Sequence, residues 1–349
     1  MRGLCWLVAV VLVVGVMLSG WGAVADELEG AGAERVRGMT VSCFRNGRGE
    51  WDGPEMGPTL TDLQGLGVNA VATHPYARIG GDGSVGYRVV ADDPMVLVPA
   101  ALAKRRGMAL MLKPHLAYWR SPFAWRGEIT FNDEASWARF FEAYRVFILH
   151  QAELAERGGV TLFVVGTELQ GTVHREASWR ALIAEVRGVY SGRLTYAANW
   201  DVYEEVPFWD ALDVIGVQAY FPLSNAERPR DAELRSSWGR VMERLRLHSA
   251  EQERPVLFTE LGYAPSVNAA REPWLDEPRG EIVPEGEELK RRCLRIALEV
   301  TGEAGPWFEG VYLWKWFPTD RVIRRNFVLQ YPEARALLSE AWRGVELGK

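Results

Sequence analysis

The chain has 349 residues, 48% of them hydrophobic and 25% charged, with 35 Gly and 18 Pro, a composition that excludes a coiled coil, a collagen-like fibre and a disordered tail protein. Its 40 Lys and Arg against 46 Asp and Glu give a formal charge of −6, and with no basic run a nucleic-acid partner is not expected. The three cysteines, Cys5, Cys43 and Cys293, form no CxxC pair or metal-ligand spacing, which argues against a disulfide scaffold and structural zinc.

Arg2 precedes an apolar run from Leu4 to Leu18, and the small-residue triplet Ala23-Val24-Ala25 leads into Asp26 and Glu27. This is the layout of a secretory signal. Residues 1–25 are therefore expected to be a signal peptide and residues 26–349 the mature catalytic domain, secreted or periplasmic and free of the membrane. The alternative is an uncleaved N-terminal anchor, because Gly3 to Ala25 carry no charge and roughly 20 apolar residues span a bilayer. Cys43 ends a predicted strand and Cys293 lies in a predicted helix, so two separate thiols are expected.

Apolar runs bounded by Gly, Pro, Asn or Asp predict strands at Val36–Cys43, Ala70–His74, Ala109–Lys113, Leu162–Thr167, Leu194–Ala198, Val214–Gln218, Val256–Thr259 and Gly310–Trp314. Helical patterns alternate with them at Thr59–Leu66, Pro94–Arg106, Glu134–Glu156, Glu176–Val189, Asp231–His248 and Glu287–Val300, with a short one near Tyr203–Trp209 and a closing one at Glu333–Trp342. Continuous apolar runs such as Leu162–Gly166 suit parallel strands covered on both faces. Alternating strands and helices without a linker predict an α/β fold, a single (β/α)8 TIM barrel. An insertion rich in Pro, Glu and Gly, Tyr263–Glu287, follows the seventh strand and belongs to the loops that build the active face or to the surface.

Functional groups of such a barrel gather at the C-terminal ends of the strands. There the sequence places Cys43-Phe44-Arg45, His74-Pro75-Tyr76, Lys113-Pro114-His115, Thr167-Glu168, Asn199-Trp200-Asp201, Gln218-Ala219-Tyr220, Thr259-Glu260 and Trp314-Lys315-Trp316. Glu168 and Glu260 each end an apolar strand, where an unpaired charge costs several kcal/mol. Either alone could be held in a salt bridge at the rim. Together, after the fourth and seventh strands, they suit glycosidic-bond cleavage, in which one carboxyl protonates the leaving oxygen and the other attacks the anomeric carbon or activates water.

The order and spacing of Gly67-Val68-Asn69-Ala70-Val71, His74-Pro75-Tyr76, Leu112-Lys113-Pro114-His115-Leu116, Gly166-Thr167-Glu168-Leu169, Thr195-Tyr196-Ala197-Ala198-Asn199-Trp200-Asp201, Gly216-Val217-Gln218-Ala219-Tyr220-Phe221-Pro222, Phe258-Thr259-Glu260-Leu261-Gly262-Tyr263 and Trp314-Lys315-Trp316 resemble the retaining (β/α)8 glycoside hydrolases, most closely the endo-β-mannanase-like family 113. The resemblance spans roughly Val36 to Trp342. It implies Glu168 as acid/base, Glu260 as nucleophile, Tyr220 hydrogen-bonding the nucleophile and Trp314 as the floor of the subsite under attack. Larger relatives in the clan carry Asn immediately before the acid/base, where it reads the sugar 2-hydroxyl; here Thr167 stands there.

Substrate contacts are further expected from His74, Tyr76, Lys113 and His115, from Trp119 and Trp125 in the loop after the third strand, and from Asn199, Trp200, Gln218 and Trp316. For Lys113 a pairing with Glu168 is the competing role, and for Trp119 and Trp125 an anchoring one. His150, His174 and His248 fall on or beside helices and are expected at the surface. No HExxH or carboxylate–His spacing asks for a metal, and no cofactor is expected. The chain is thus expected to be a monomer that cleaves a β-linked hexose polysaccharide or oligosaccharide, mannan first, by double displacement. The alternatives are a catalytically silent carbohydrate-binding barrel and a same-fold glycosidase for another β-glycan. Arg321, Arg324 and Arg325 after the last strand form either a solvated rim or a preference for an acidic or substituted sugar.

Overall fold

The structure is a computed structural model in which residues 34–275, 282–319 and 326–343 are described. The expected signal peptide and the Arg321–Arg325 stretch lie outside the described residues. In chain order the strands are β1 (Val36–Val41), β2 (Ala70–Thr73), β3 (Tyr76–Ile79), β4 (Val85–Gly86), β5 (Ala109–Leu112), β6 (His115–Ala117), β7 (Leu162–Thr167), β8 (Arg193–Asn199), β9 (Val214–Gln218), β10 (Val256–Leu261) and β11 (Phe308–Trp316). The helices are α1 (Met56–Gly65), α2 (Pro94–Arg105), α3 (Glu134–Gly158), α4 (Glu176–Val189), α5 (Asp231–Gln252), α6 (Pro284–Gly302) and α7 (Pro332–Arg343).

Eight strands close into a parallel barrel in the order β1-β11-β10-β9-β8-β7-β5-β2, the single (β/α)8 barrel expected from the alternation of elements. Period-two alternation divides each strand between two cores. Ala70, Ala72, Met111, Val164, Leu257 and Tyr312 fill the barrel interior, while Val71, Leu110, Val165, Phe258 and Leu313 face the surrounding helices. Tyr312 fits because Gly38 on the neighbouring strand leaves it space: a methyl group there would lie 2.4 Å from its ring. Helix starts follow local chemistry. Asp93 accepts from the Met95 N–H and is followed by Pro94 at the first position of α2, and Asp133 accepts from the Ser136 N–H at the start of α3.

Several local expectations are corrected. Strands β3, β4 and β6 were not legible as strands; they form a separate three-stranded sheet made by the chain continuing past the ends of β2 and β5. The segment near Tyr203–Trp209 is two single 3-10 turns, Tyr203–Glu205 and Trp209–Ala211. His150 and His248 are buried, because they lie on the inner faces of α3 and α5. His150 Nδ1 meets the Tyr87 hydroxyl at 2.6 Å, and His248 stands edge-on to Tyr203. His174 is exposed, as expected. Cys43 and Cys293 are separate thiols. No described helix is long and apolar enough to cross a membrane.

One buried cation ties the outer shell to the barrel mouth. Lys290 on α6 donates to the carbonyls of Asn326 and Val328, both at 2.9 Å, and burial pushes it down to about 7. Those carbonyls flank Phe327, which packs against Tyr220 with ring centroids 5.7 Å apart.

Candidate active site

The two strand-end glutamates reach the barrel mouth by different routes. Glu168 follows β7 with φ +54°, a left-handed conformation costing a non-glycine residue about 1–3 kcal/mol. Hydrogen bonds on both sides hold it there: its N–H donates to the Ala197 carbonyl at 2.9 Å, and the next N–H, of Leu169, donates to the Tyr196 hydroxyl at 2.8 Å. Its carboxylate pairs with Arg126 Nη1 at 2.8 Å. Arg126 comes from the loop after β6 and is itself fixed by donating Nε to the Leu116 carbonyl at 3.2 Å. Burial pushes the Glu168 carboxyl above its ordinary value; the Arg126 charge opposes that rise and the Glu260 charge adds to it.

Glu260 lies inside β10 and is 5% exposed. One carboxylate oxygen accepts from the Lys113 ammonium, and the other accepts from the Tyr220 hydroxyl at 2.6 Å. Lys113 is fully buried and also donates to the Thr259 carbonyl at 3.3 Å. Burial holds the lysine below its ordinary value, against the pull of Glu260. Both glutamates are thus in ion pairs, the role open to either one alone, yet both also face a common cleft of about 780 Å³.

The cleft is walled by aromatic rings, whose flat apolar faces suit the C–H faces of sugars. Trp200 and Trp274 stack at 5.5 Å with 17° between their planes, and Trp314, Trp119 and Trp125 line the same space. Of the other expected contacts, Tyr76, His115, Asn199 and Tyr220 also line it. Asn199 donates Nδ2 to Gln170 Oε1 at 3.0 Å, which fixes the amide.

His74, Lys113, Gln218 and Trp316, expected at the substrate, do not line the cleft, and each is at most 1% exposed. They form the layer beneath it. His74 meets Ser42 Oγ at 3.2 Å and stacks on His115 at 5.1 Å; burial, reinforced by Lys113, keeps its ring in the neutral range. Lys113 pairs with Glu260 rather than Glu168. Gln218 accepts from the Thr259 hydroxyl at 2.9 Å. Trp316 belongs to the shell outside the barrel, under the Arg335 guanidinium at 5.5 Å. Thr167 is likewise buried and donates to the Pro114 carbonyl at 3.2 Å, so its hydroxyl is engaged away from the cleft.

Arg126 and Trp274 line the cleft and were not legible beforehand as part of a site. Both come from long loops, where no periodicity fixes direction. The one available signal for Trp274 was a large aromatic in a Pro- and Glu-rich insertion.

Residues 39–325 match the pattern of Glycoside Hydrolase Family 113. Among solved structures, the chain is similar to a family 113 β-mannanase from Alicyclobacillus acidocaldarius in complex with ManMIm, with 27% identity over 89% of this chain and 98% of that one and a TM-score of 0.77. A β-1,4-mannanase of the same family, solved as a complex, has 24% identity over 89% and 100% of the two chains and a TM-score of 0.77. Comparison with curated proteins gives no match.

Proposed function

Because the chain belongs to glycoside hydrolase family 113, we propose that this glycoside hydrolase cleaves β-linked mannan by double displacement, with Glu168 as acid/base and Glu260 as nucleophile. The observation that carries this reading is the pair of carboxylates facing one aromatic-walled cleft from the ends of β7 and β10. Burial favours the protonated form of Glu168, as a general acid requires. Lys113 and Tyr220 each hold one oxygen of Glu260, which fixes its orientation for attack. In the first step Glu260 bonds to the anomeric carbon, the bond to the leaving sugar oxygen breaks, and the Glu168 proton passes to that oxygen. In the second, Glu168 takes a proton from water, which displaces Glu260 and releases the sugar with retained configuration. Mannan is favoured by the likeness to a β-mannanase at 27% identity over nearly the whole of both chains. The same reading takes residues 1–25 as an export signal, since a polysaccharide must be met outside the cell.

The test is reducing-sugar release by the full chain from mannan, glucomannan, β-glucan and xylan. Mannan or glucomannan is expected to be the preferred polymer. Turnover confined to β-glucan or xylan removes the mannan assignment, and binding without turnover of any polymer makes the protein a sugar-binding barrel.

Arg126 gives this reading a pH signature. Its charge lowers the Glu168 pKa, so Arg126→Ala raises it, and the protonated acid persists to higher pH. The alkaline limb of kcat/KM is expected to move to higher pH, while turnover at the optimum falls by about 10²-fold from lost positioning. Arg126→Lys should recover part of both. An unmoved alkaline limb would show that Glu168 is not the group titrating there.

A further inference from the structure

A second pocket of about 340 Å³ shares Arg45, Tyr76 and Trp119 with the cleft. Its remaining wall carries Arg48, Arg78 and Arg88. Among the described residues, none of these four guanidiniums has a carboxylate within ion-pair distance, although other arginines of the chain pair widely, as Arg145, Arg157, Arg175 and Arg180 do. The nearby acids are engaged elsewhere. Asp93 lines the pocket, but it is 3% exposed and caps α2 through the Met95 N–H. Asp92 pairs with Arg157 at 2.7 Å, and Glu50 accepts from the N–H groups of Phe44 and Arg45, which fixes the turn carrying Arg45. A concentration of unpaired positive charge in a chain of net charge −6 runs against the general balance.

The separate small sheet builds this place. Tyr76 and Arg78 lie two residues apart on β3 and so share a face. Arg78 is paired in register with Gly86 of β4 and Ala117 of β6, two residues too small to cover it. Trp119 stands at the junction of the pocket and the cleft, 52% exposed and 5.4 Å from the Tyr76 ring. An aromatic face beside unpaired guanidiniums matches a sugar ring that bears a carboxylate: the ring stacks, and the planar donors bind the two oxygens.

We propose that the pocket between β3, β4 and the turn after β1 is an anionic-sugar subsite, in which Trp119 supports a uronate-type residue of the glycan and Arg78 and Arg88, with Arg45 and Arg48, bind its carboxylate. This rests on the mannan-cleaving reading and extends it to acid-substituted chains. The probes are β-1,4-mannopentaose and two monocarboxylated forms, one carrying a C6 uronate on its reducing-end residue and one on its non-reducing-end residue.

With the full chain at low salt, kcat/KM is expected to favour one carboxylated form over the neutral pentaose by about tenfold, and the favoured end gives the direction of the bound chain. The preference should shrink in 0.5 M NaCl, with the Debye length cut to about 4 Å. Arg78→Ala/Arg88→Ala should remove it and leave turnover of the neutral pentaose unchanged. Equal kcat/KM for all three sugars, or a preference that survives the double variant, overturns the subsite. Should none of the sugars be cleaved, the catalytic reading fails by itself. Calorimetric binding of the same three sugars to the wild-type chain and to the double variant then decides the subsite: a carboxylate preference lost with the arginines supports it, and equal affinities overturn it.

Discussion

Glu260→Gln is expected to lower turnover of mannan by about 10⁴-fold or more, because in the proposed double displacement the carboxylate forms the glycosyl bond and an amide cannot. The substitution keeps an acceptor for Tyr220, whose hydroxyl now lies 2.6 Å from Glu260, but leaves the buried Lys113 charge without its partner, so a folded yet less stable protein without activity is the expected product. Glu168→Gln should cost about 10²- to 10⁴-fold on mannan, the range for losing a general acid. The two roles separate on a dinitrophenyl glycoside, whose leaving group needs no proton. Glu168→Ala should still release one equivalent of dinitrophenol in a burst and then stall, and added azide should restart it by attacking the glycosyl-enzyme without base assistance. Glu260→Ala should give no burst. Full activity in either glutamine variant, or a burst with Glu260→Ala, would remove the assignment of roles.

The Lys113–Glu260 pair carries the second large effect, on stability. Lys113 is fully buried and Glu260 nearly so, and removing one member of a buried pair costs about 3–5 kcal/mol because the other charge is left without compensation. Lys113→Met is therefore expected to lower the melting temperature by roughly 10 °C, measured by scanning calorimetry on the full chain. The double variant Lys113→Met/Glu260→Gln has no uncompensated charge and should regain most of the loss. An additive double variant would show that the two side chains do not depend on each other. The lysine thus supports the mouth from below, where the sequence left open a contact with sugar or a pairing with Glu168.

The geometry explains why that role was not legible in the sequence. A residue at the end of a barrel strand points either into the mouth or beneath it according to its position in the pleat and any irregularity there. Register shifts occur between Phe258 and Glu260 against β9, and between Val164 and Thr167 against β8. Such shifts bear on how Glu168 and Glu260 emerge, and no apolar pattern records them. Lys113 and Gln218 turn inward beneath the cleft, whereas Asn199 and Tyr220 line it.

By itself the sequence determined the barrel and the two strand-end glutamates. Buried parallel strands must be continuous apolar runs and their helices amphipathic, so each element is written locally, and a carboxylate that ends such a run stands out against it. Tertiary structure alone decided the partners. Arg126 is 42 residues from Glu168, and Lys113 is 147 residues from Glu260. Pairings across such separations depend on where the closed barrel brings strand ends and loops together. The same holds for the basic pocket, where Arg78 on β3 meets Arg45, Arg48 and Arg88 from connecting segments only once the small sheet and the turn after β1 lie side by side.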